Sequence, residues 1–354
     1  MRARSAVLGW STLVLGASFA GCSSSSDQRS SDAATDDALA VDGPVGDGQA
    51  DAAGDDAAAA HIVEFELPVA GSSPEGIVTG PDGNLWFTES ATDANKIGRL
   101  TPGGVFTEFS IPTPASQAWG LVMGADHNFW FVEQSANKVG RMTPSGAFTE
   151  FPIANPNGYP FSIAAGPDGN LWFTEQGGNQ IVRVTTAGEM TGFDIPTGSG
   201  YPLGITAGPD GNVWFTEQSG NKIGRITPAG IITEFLVPTP QCSPYGIAKG
   251  PDGNLWFTEY NGVKIGRITP AGDITEFTIP TPNSTPYGIT PGPDGNVWFT
   301  EYDGVKIGRI TPAGVIREFP ITTVHCYPSI ITTGPDGNVW FTEYAGNKIG
   351  RVSP

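Results

Sequence analysis

"GPDGNLWFTE" occupies residues 80–89, and close copies of it begin at Gly124, Gly166, Gly208, Gly250, Gly292 and Gly334. The first step between copies is 44 residues and the other five are 42. A fixed period of this size marks a repeat architecture, whose units bury their apolar faces only against neighbouring copies. Residues 286–327 show what one unit contains. "PYGITPG" reads as a short apolar strand, "PDGN" as a turn and "VWFTE" as a second strand. "YDGV" reads as a hairpin whose Asp-Gly pair suits a two-residue type I′ turn. "KIGRI" is a third strand, "TPAG" a Pro- and Gly-marked turn, and "VIREFPI" a fourth strand.

Four short antiparallel strands per unit and seven units, with no helical period, predict an all-β fold: a seven-bladed β-propeller. The termini fit one another. The last copy ends at "NKIGRVSP" without a fourth strand, and "HIVEFELP" at 61–68 is a fourth strand with no unit before it. Their pairing closes the ring and removes both exposed edges. The stretch 61–354 is 294 residues, seven periods of 42. A monomer is expected.

Composition agrees with strands and tight turns. The 354 residues include 49 Gly and 31 Pro, and 38% are apolar with nine Trp, enough for a sizeable core. Residues 1–22 read as an export signal: basic "MRAR", apolar "SAVLGWSTLVLGASFA", then "FAGC". The apolar run is short for a spanning helix. "FAGC" resembles the bacterial lipobox, which makes Cys22 the lipid-bearing residue. The alternative is an ordinary secretory signal, and both readings export the chain. By that resemblance, Ser23 favours the outer membrane or periplasm of a Gram-negative cell. Residues 23–60 hold nine Asp against one Arg and no aromatic residue, too little apolar surface to fold. As a random coil this tether would span roughly 30–35 Å. A net charge of −18 without basic clusters argues against nucleic acid and against anionic lipid headgroups as partners. The membrane is contacted only through the anchor.

The repeated letters build the blades, so function belongs where copies differ. The Glu ending each second strand faces a Lys across the hairpin: Glu133 and Lys138, Glu217 and Lys222, Glu259 and Lys264, Glu301 and Lys306, Glu343 and Lys348. Cross-strand ion pairing accounts for these carboxylates better than a cation site does. Glu175 faces Gln180 and has no such partner. The "PDGN" and "TPAG" turns share one nearly invariant side of the disc. The opposite side carries the loops from fourth to first strands and the second-to-third hairpins, which vary. Two circles of differing residues lie there. The inner one is Glu75, Trp119, Phe161, Leu203, Tyr245, Tyr287 and Ser329. The outer one is Ser90, Gln134, Gln176, Gln218, Tyr260, Tyr302 and Tyr344. They form either a shallow aromatic bowl for a small amphipathic ligand or a plug in the channel mouth.

The phrases "GPDGNLWFTE", "NKIGRITPAG", "ITEFTIPTP" and "PYGIT" resemble the streptogramin B lyase (virginiamycin B lyase) family across 61–354. That resemblance implies a seven-bladed propeller. It also implies the Mg²⁺-assisted opening of a cyclic depsipeptide by elimination, in which a base removes the proton beside the ester carbonyl and the threonyl oxygen leaves. The family's two His and two Glu fall on Tyr287, Ser329, Tyr327 and Tyr344 here, so all four differ and the resemblance does not carry the activity. His325, on the variable side, is a candidate displaced base, with Glu75 or Glu175 to support a cation. Cys242 and Cys326 share one loop position in two blades. An exported setting permits a disulfide between them, and a Cys-His metal site with His325 is a weaker alternative. No metal ligand set is assigned. The leading expectation is a propeller binding a small molecule or cell-envelope component. A Mg²⁺-dependent lyase is the alternative, and a non-catalytic interaction scaffold is a further one.

Overall fold

The computed structural model describes residues 61–354; the expectations for 1–22, Cys22 and 23–60 lie outside the described residues. Among the described residues twenty-eight strands, β1 (Ile62–Glu66) to β28 (Lys348–Val352), form seven four-stranded antiparallel sheets. Six blades take consecutive strands, from β2–β5 (Pro74–Ser110) to β22–β25 (Pro286–Pro320). The seventh pairs β26 (Pro328–Thr333), β27 (Val339–Glu343) and β28 with β1. There Ile62 faces Val352 and Glu66 faces Lys348, so the predicted closure holds residue for residue.

Each blade repeats one packing solution. The second-strand Trp residues (Trp86, Trp130, Trp172, Trp214, Trp256, Trp298 and Trp340) are all fully buried. Their Nε1–H groups donate to the Asp of the preceding turn, as Trp86 does to Asp82 Oδ1 at 3.0 Å. The fourth-strand Phe stacks on one side of the indole, with Trp256 and Phe277 centroids 5.6 Å apart. The paired Arg of the third strand lies over the same ring, Arg267 at 5.5 Å. On the other face, the neighbouring Phe occupies the space above the third-strand Gly: a Cβ at Gly266 would stand 2.1 Å from Phe257 Cζ. Every cluster joins the Trp of one blade to the Phe of the next, Trp256 with Phe299 for example, and Trp340 with Phe87 across the closure. Truncating such a Trp costs about 3–5 kcal/mol.

Two expectations are corrected. The hairpin after β23 (Val297–Glu301) is a four-residue loop, not a two-residue type I′ turn. Its left-handed residue is Val305 at φ 52°, and neither Asp303 nor Gly304 has positive φ. Gly304 is needed for room instead, since a Cβ there would lie 2.8 Å from Glu301 Oε2. The extra two residues of the first period lengthen the corresponding loop between β3 (Leu85–Glu89) and β4 (Lys96–Leu100).

The second correction concerns the lysines. The Cα register is as read, with Glu259 opposite Lys264. The ammonium, however, goes to the fourth-strand carboxylate: Lys264 Nζ to Glu276 Oε2 at 2.8 Å, with Lys138–Glu150 and Lys222–Glu234 at 2.8 Å and Lys306–Glu318 at 3.0 Å. In the closing blade Lys348 reaches Glu64 at 3.3 Å. Glu276 pairs with Gly266, two residues along the strand from Lys264 and on the same face, so the Lys stem reaches it diagonally. The hairpin carboxylates of Glu133, Glu217, Glu259, Glu301 and Glu343 are left buried with neither oxygen hydrogen-bonded.

Candidate functional site

Position in the inner circle is set by a threonine of the blade before. Thr258 Oγ1 accepts from Gly246 N at 2.8 Å and donates to Tyr287 O at 2.9 Å, locking the head of one first strand against the next. Thr216 holds Tyr245 O at 2.7 Å, Thr174 holds Leu203 O at 2.9 Å and Thr300 holds Ser329 O at 2.6 Å. The first strands come so close around the axis that a Cβ at Gly246 would be 2.4 Å from Tyr287 O. That spacing is why glycine follows most inner-circle residues.

The inner circle and its neighbours form a continuous aromatic chain. Trp119 and Phe161 centroids are 4.8 Å apart, Phe161 meets Tyr245 edge-on at 5.8 Å, and Tyr245 meets Tyr287 at 4.0 Å. The Tyr245 hydroxyl donates to that of Tyr287. Tyr287 stacks on Tyr302 at 5.3 Å, and Tyr302 on Tyr327 at 4.8 Å. Trp119, Phe161 and Tyr245 keep part of their surface exposed, whereas Glu75, Leu203, Tyr287 and Ser329 are buried. The result is an aromatic floor over the axis with Tyr260, Tyr302 and Tyr344 half-buried beside it. Two small apolar cavities of about 100 and 140 Å³ share Phe161, Ser162 and Ile330 in their walls.

Only Glu75 in the inner circle carries a carboxyl. Ser329 Oγ donates to its Oε2 at 2.6 Å. Burial pushes its pKa up to about 8, against the smaller opposing effect of that bond. Burial likewise holds the Tyr245 and Tyr287 phenols well above their ordinary value. At neutral pH this is a proton-bearing carboxyl under a neutral aromatic cover.

The other candidates separate from it. His325 is exposed on its loop at φ 54°. Glu175 lies in the third blade, where Asn155 Nδ2 donates to its Oε2 at 3.1 Å. That blade lacks both the Lys, replaced by Gln180, and the fourth-strand Glu, replaced by Gly192. Cys242 and Cys326 are free and fully buried, each packed in the core of its own blade pair, so there is no disulfide. Among the described residues no three His, Cys, Asp or Glu side chains converge as a metal set. Mg²⁺ requires hard oxygen ligands at short range. The lone, nearly inaccessible Glu75 carboxyl does not provide that donor set, so the residues at the axis do not fit the ion.

Reading the sequence missed Tyr159 and Tyr201, which stand 53% and 43% exposed on the variable face. The signal was present as "GYP", written at 158–160 and again at 200–202.

The virginiamycin B lyase family model matches the chain in two overlapping stretches, 47–262 and 199–354. A streptogramin B lyase structure is 42% identical, covering 83% of this chain and 97% of its own, with a TM-score of 0.80. Selenomethionine-substituted virginiamycin B lyase from Staphylococcus aureus is also 42% identical, over 83% and 99% of the two chains, at 0.80. A catalytically inactive histidine-to-alanine variant of that enzyme, with quinupristin, is 41% identical over the same shares at 0.80. The comparison with curated proteins gives no match. The likeness runs through every blade and through the seam that closes them, and on that ground the chain belongs to the virginiamycin B lyase family.

Proposed function

We propose that this chain is an exported, lipid-anchored propeller that binds a small amphipathic molecule or cell-envelope component on its variable face, without lyase turnover. The observation that carries this reading is the unbroken aromatic chain from Trp119 through Phe161, Tyr245, Tyr287 and Tyr302 to Tyr327, gathered around the axis on one side. Partly exposed aromatic rings bordered by hydroxyls suit a ligand with an apolar body and polar edges. Tyr287, Ser329, Tyr327 and Tyr344, at the positions the family resemblance assigns to its His and Glu, supply neither an imidazole nor a carboxylate.

A second reading, lyase chemistry with a rearranged base, is favoured by one feature: burial pushes the Glu75 pKa up to about 8, into the range of a general base. Its carboxylate would take the proton beside the ester carbonyl while the ring oxygen departs with the bonding pair. The Ser329 contact and the aromatic cover stand between that carboxyl and any ligand.

The test is to titrate the purified chain with a type B streptogramin, with and without Mg²⁺, recording tryptophan fluorescence and chromatographic retention. Ring opening by elimination conserves mass, so retention is the necessary readout. Saturable fluorescence change with unaltered retention supports binding. A new product peak that Glu75→Gln abolishes replaces this reading with the second. Neither signal, repeated over a small-molecule panel, leaves an interaction scaffold.

A further inference from the structure

The open space on the variable face lies off the axis. A cleft of about 400 Å³ is lined by Gln134, Tyr159, Gln176, Gly177 and Tyr201, contributed by the second, third and fourth blades. That volume falls within the roughly 300–1,000 Å³ of small-ligand clefts.

Its two tyrosines stand out among the large side chains of this face for their exposure. Tyr159 and Tyr201 sit at φ 45° and 55°. A bulky residue in this region is strained, and the surrounding structure has to hold it there. Gln176 N donates to Tyr159 O at 3.2 Å and Gln218 N to Tyr201 O at 3.1 Å, which does so. The same left-handed position recurs in the other blades with Ser73, Gln117, Ser243, Thr285 and Tyr327. Tyr327 stacks on Tyr302, whereas among the described residues neither Tyr159 nor Tyr201 stacks on another aromatic ring.

Gly177 belongs to the same arrangement. A Cβ there would lie 2.1 Å from Asn157 O and 2.7 Å from Tyr159 Cδ2. The corresponding residues are Ser135, Ser219, Asn261, Asp303 and Ala345. Glycine in this blade alone leaves room for the Tyr159 ring against its hairpin.

The lining determines what fits. It carries no charge, so an ionic ligand would lose hydration without a counter-charge. A purely apolar ligand would leave the Gln134 and Gln176 amides without partners. Each amide both donates and accepts, and each phenol ring offers an apolar face. A pyranose has the matching pattern: hydroxyls around its edge and a face of C–H groups.

We infer that this cleft binds a short neutral oligosaccharide, its C–H face on Tyr159 or Tyr201 and its hydroxyls bonded by Gln134 and Gln176. It shares no residue with the aromatic floor, and the two sites stand or fall separately.

The test is calorimetric titration and saturation-transfer NMR on the full chain with cellotriose, maltotriose and N,N′-diacetylchitobiose, and with trigalacturonate as the charged control. The plain and N-acetylated arms distinguish a glucan source from an amino-sugar source. At least one neutral sugar is expected to bind saturably, with Tyr159→Ala and Gln176→Ala each weakening it about tenfold. Gly177→Ser should do the same by displacing the ring, while Tyr260→Ala leaves sugar binding unchanged. Thermal midpoint and near-ultraviolet circular dichroism verify that the variants fold. Absence of binding to all three neutral sugars, equal binding of trigalacturonate, or binding indifferent to Tyr159→Ala overturns the inference. Streptogramin titration of the Tyr159→Ala variant reports independently on the axial site.

Discussion

Ser329 Oγ donates a 2.6 Å hydrogen bond to Glu75 Oε2, joining residues 254 positions apart at the seam between the seventh and first blades. The bond is buried, and it is the one interaction seen to favour the charged form of that carboxyl against its burial. Ser329→Ala should therefore raise the Glu75 pKa beyond about 8. Carboxyl chemical shifts of a ¹³C-glutamate-labelled sample, followed through pH 6–10, measure this. The folded-state pKa lies above the ordinary 4.5, so the stability Glu75 contributes is full below pH 4.5 and lost as pH rises through about 8. The variant should lose about 1–3 kcal/mol at pH 9, where an ionised carboxylate is left without its donor, and less at pH 6. An unchanged titration would show that the hydroxyl does not act on the acid.

Stability should peak in mildly acidic solution. Burial, and then the like charge of the fourth-strand carboxylate, pushes Glu133 and Glu217 up to about 7 and Glu259 and Glu301 up to about 8. Glu343, beside Glu64, also rises to about 8. Each contributes stability below pH 4.5 that disappears as pH climbs through 7–8. Their partners behave oppositely. Burial disfavours ionised Glu150, Glu234, Glu276 and Glu318, but hydrogen bonds from Lys and Thr outweigh it and lower their pKa values. Their contribution is present above 4.5 and lost in acid. The melting temperature is expected to be highest near pH 5 and to fall toward pH 8. Glu259→Gln should flatten that fall and stabilise the protein by about 1–3 kcal/mol at pH 8. Differential scanning calorimetry across pH 4–9 decides it.

Val263→Asn should stabilise the protein. Val263 holds φ 53°, a costly conformation for a β-branched residue. Asn95 has the same place in the first blade, where its Oδ1 accepts from Ser116 N at 2.9 Å and Ser116 Oγ at 2.8 Å. Beside Val263 the equivalent Ser284 hydroxyl is buried with no well-formed hydrogen bond and only the Glu301 carboxylate near it. The substitution relieves strain and supplies the acceptor, against some lost apolar contact with the neighbouring cluster. A net gain of about 1 kcal/mol is expected, read from the urea midpoint. Its disappearance in the Val263→Asn, Ser284→Ala double variant would locate it in that contact.

The two buried cysteines should respond differently to serine. Ser72, Ser116 and Ser284 occupy the same loop position in other blades and are equally buried. Cys242 lies beside Asn221, whose Oδ1 already accepts from Cys242 N at 2.8 Å and can accept a serine hydroxyl as well. Cys326 lies beside Val305, which offers no acceptor, so a serine hydroxyl there would have only the buried Glu343 carboxylate to donate to. Cys242→Ser should cost less than about 0.5 kcal/mol and Cys326→Ser more, up to about 1 kcal/mol, because it has one acceptor fewer. Equal losses in chemical denaturation would contradict this account.

The contrast between fold and site follows from what each depends on. Turn residues, Trp-Phe pairs and a 42-residue period are local and repeated, so blade count, strand order and closure could be read from them. The neighbour relation of Glu75 and Ser329 was legible too, because it follows from closure alone. The destination of Lys264 was not. Glu259 and Glu276 both lie on its face, and only packed side chains show that the ammonium goes to the diagonal Glu276 and leaves Glu259 buried. Tyr159 and Tyr201 escaped notice for a similar reason. A tyrosine before proline reads as an ordinary extended residue, and its left-handed backbone depends on the hairpin that accepts it.

The sequence by itself determined a closed seven-bladed disc, because strand pairing and Trp burial are nearest-neighbour properties that each copy states again. Tertiary structure decided which variable residues meet, which carboxylates keep a counter-ion and where open space remains. Those outcomes depend on the competition among several side chains for one volume, and no single repeat encodes the result.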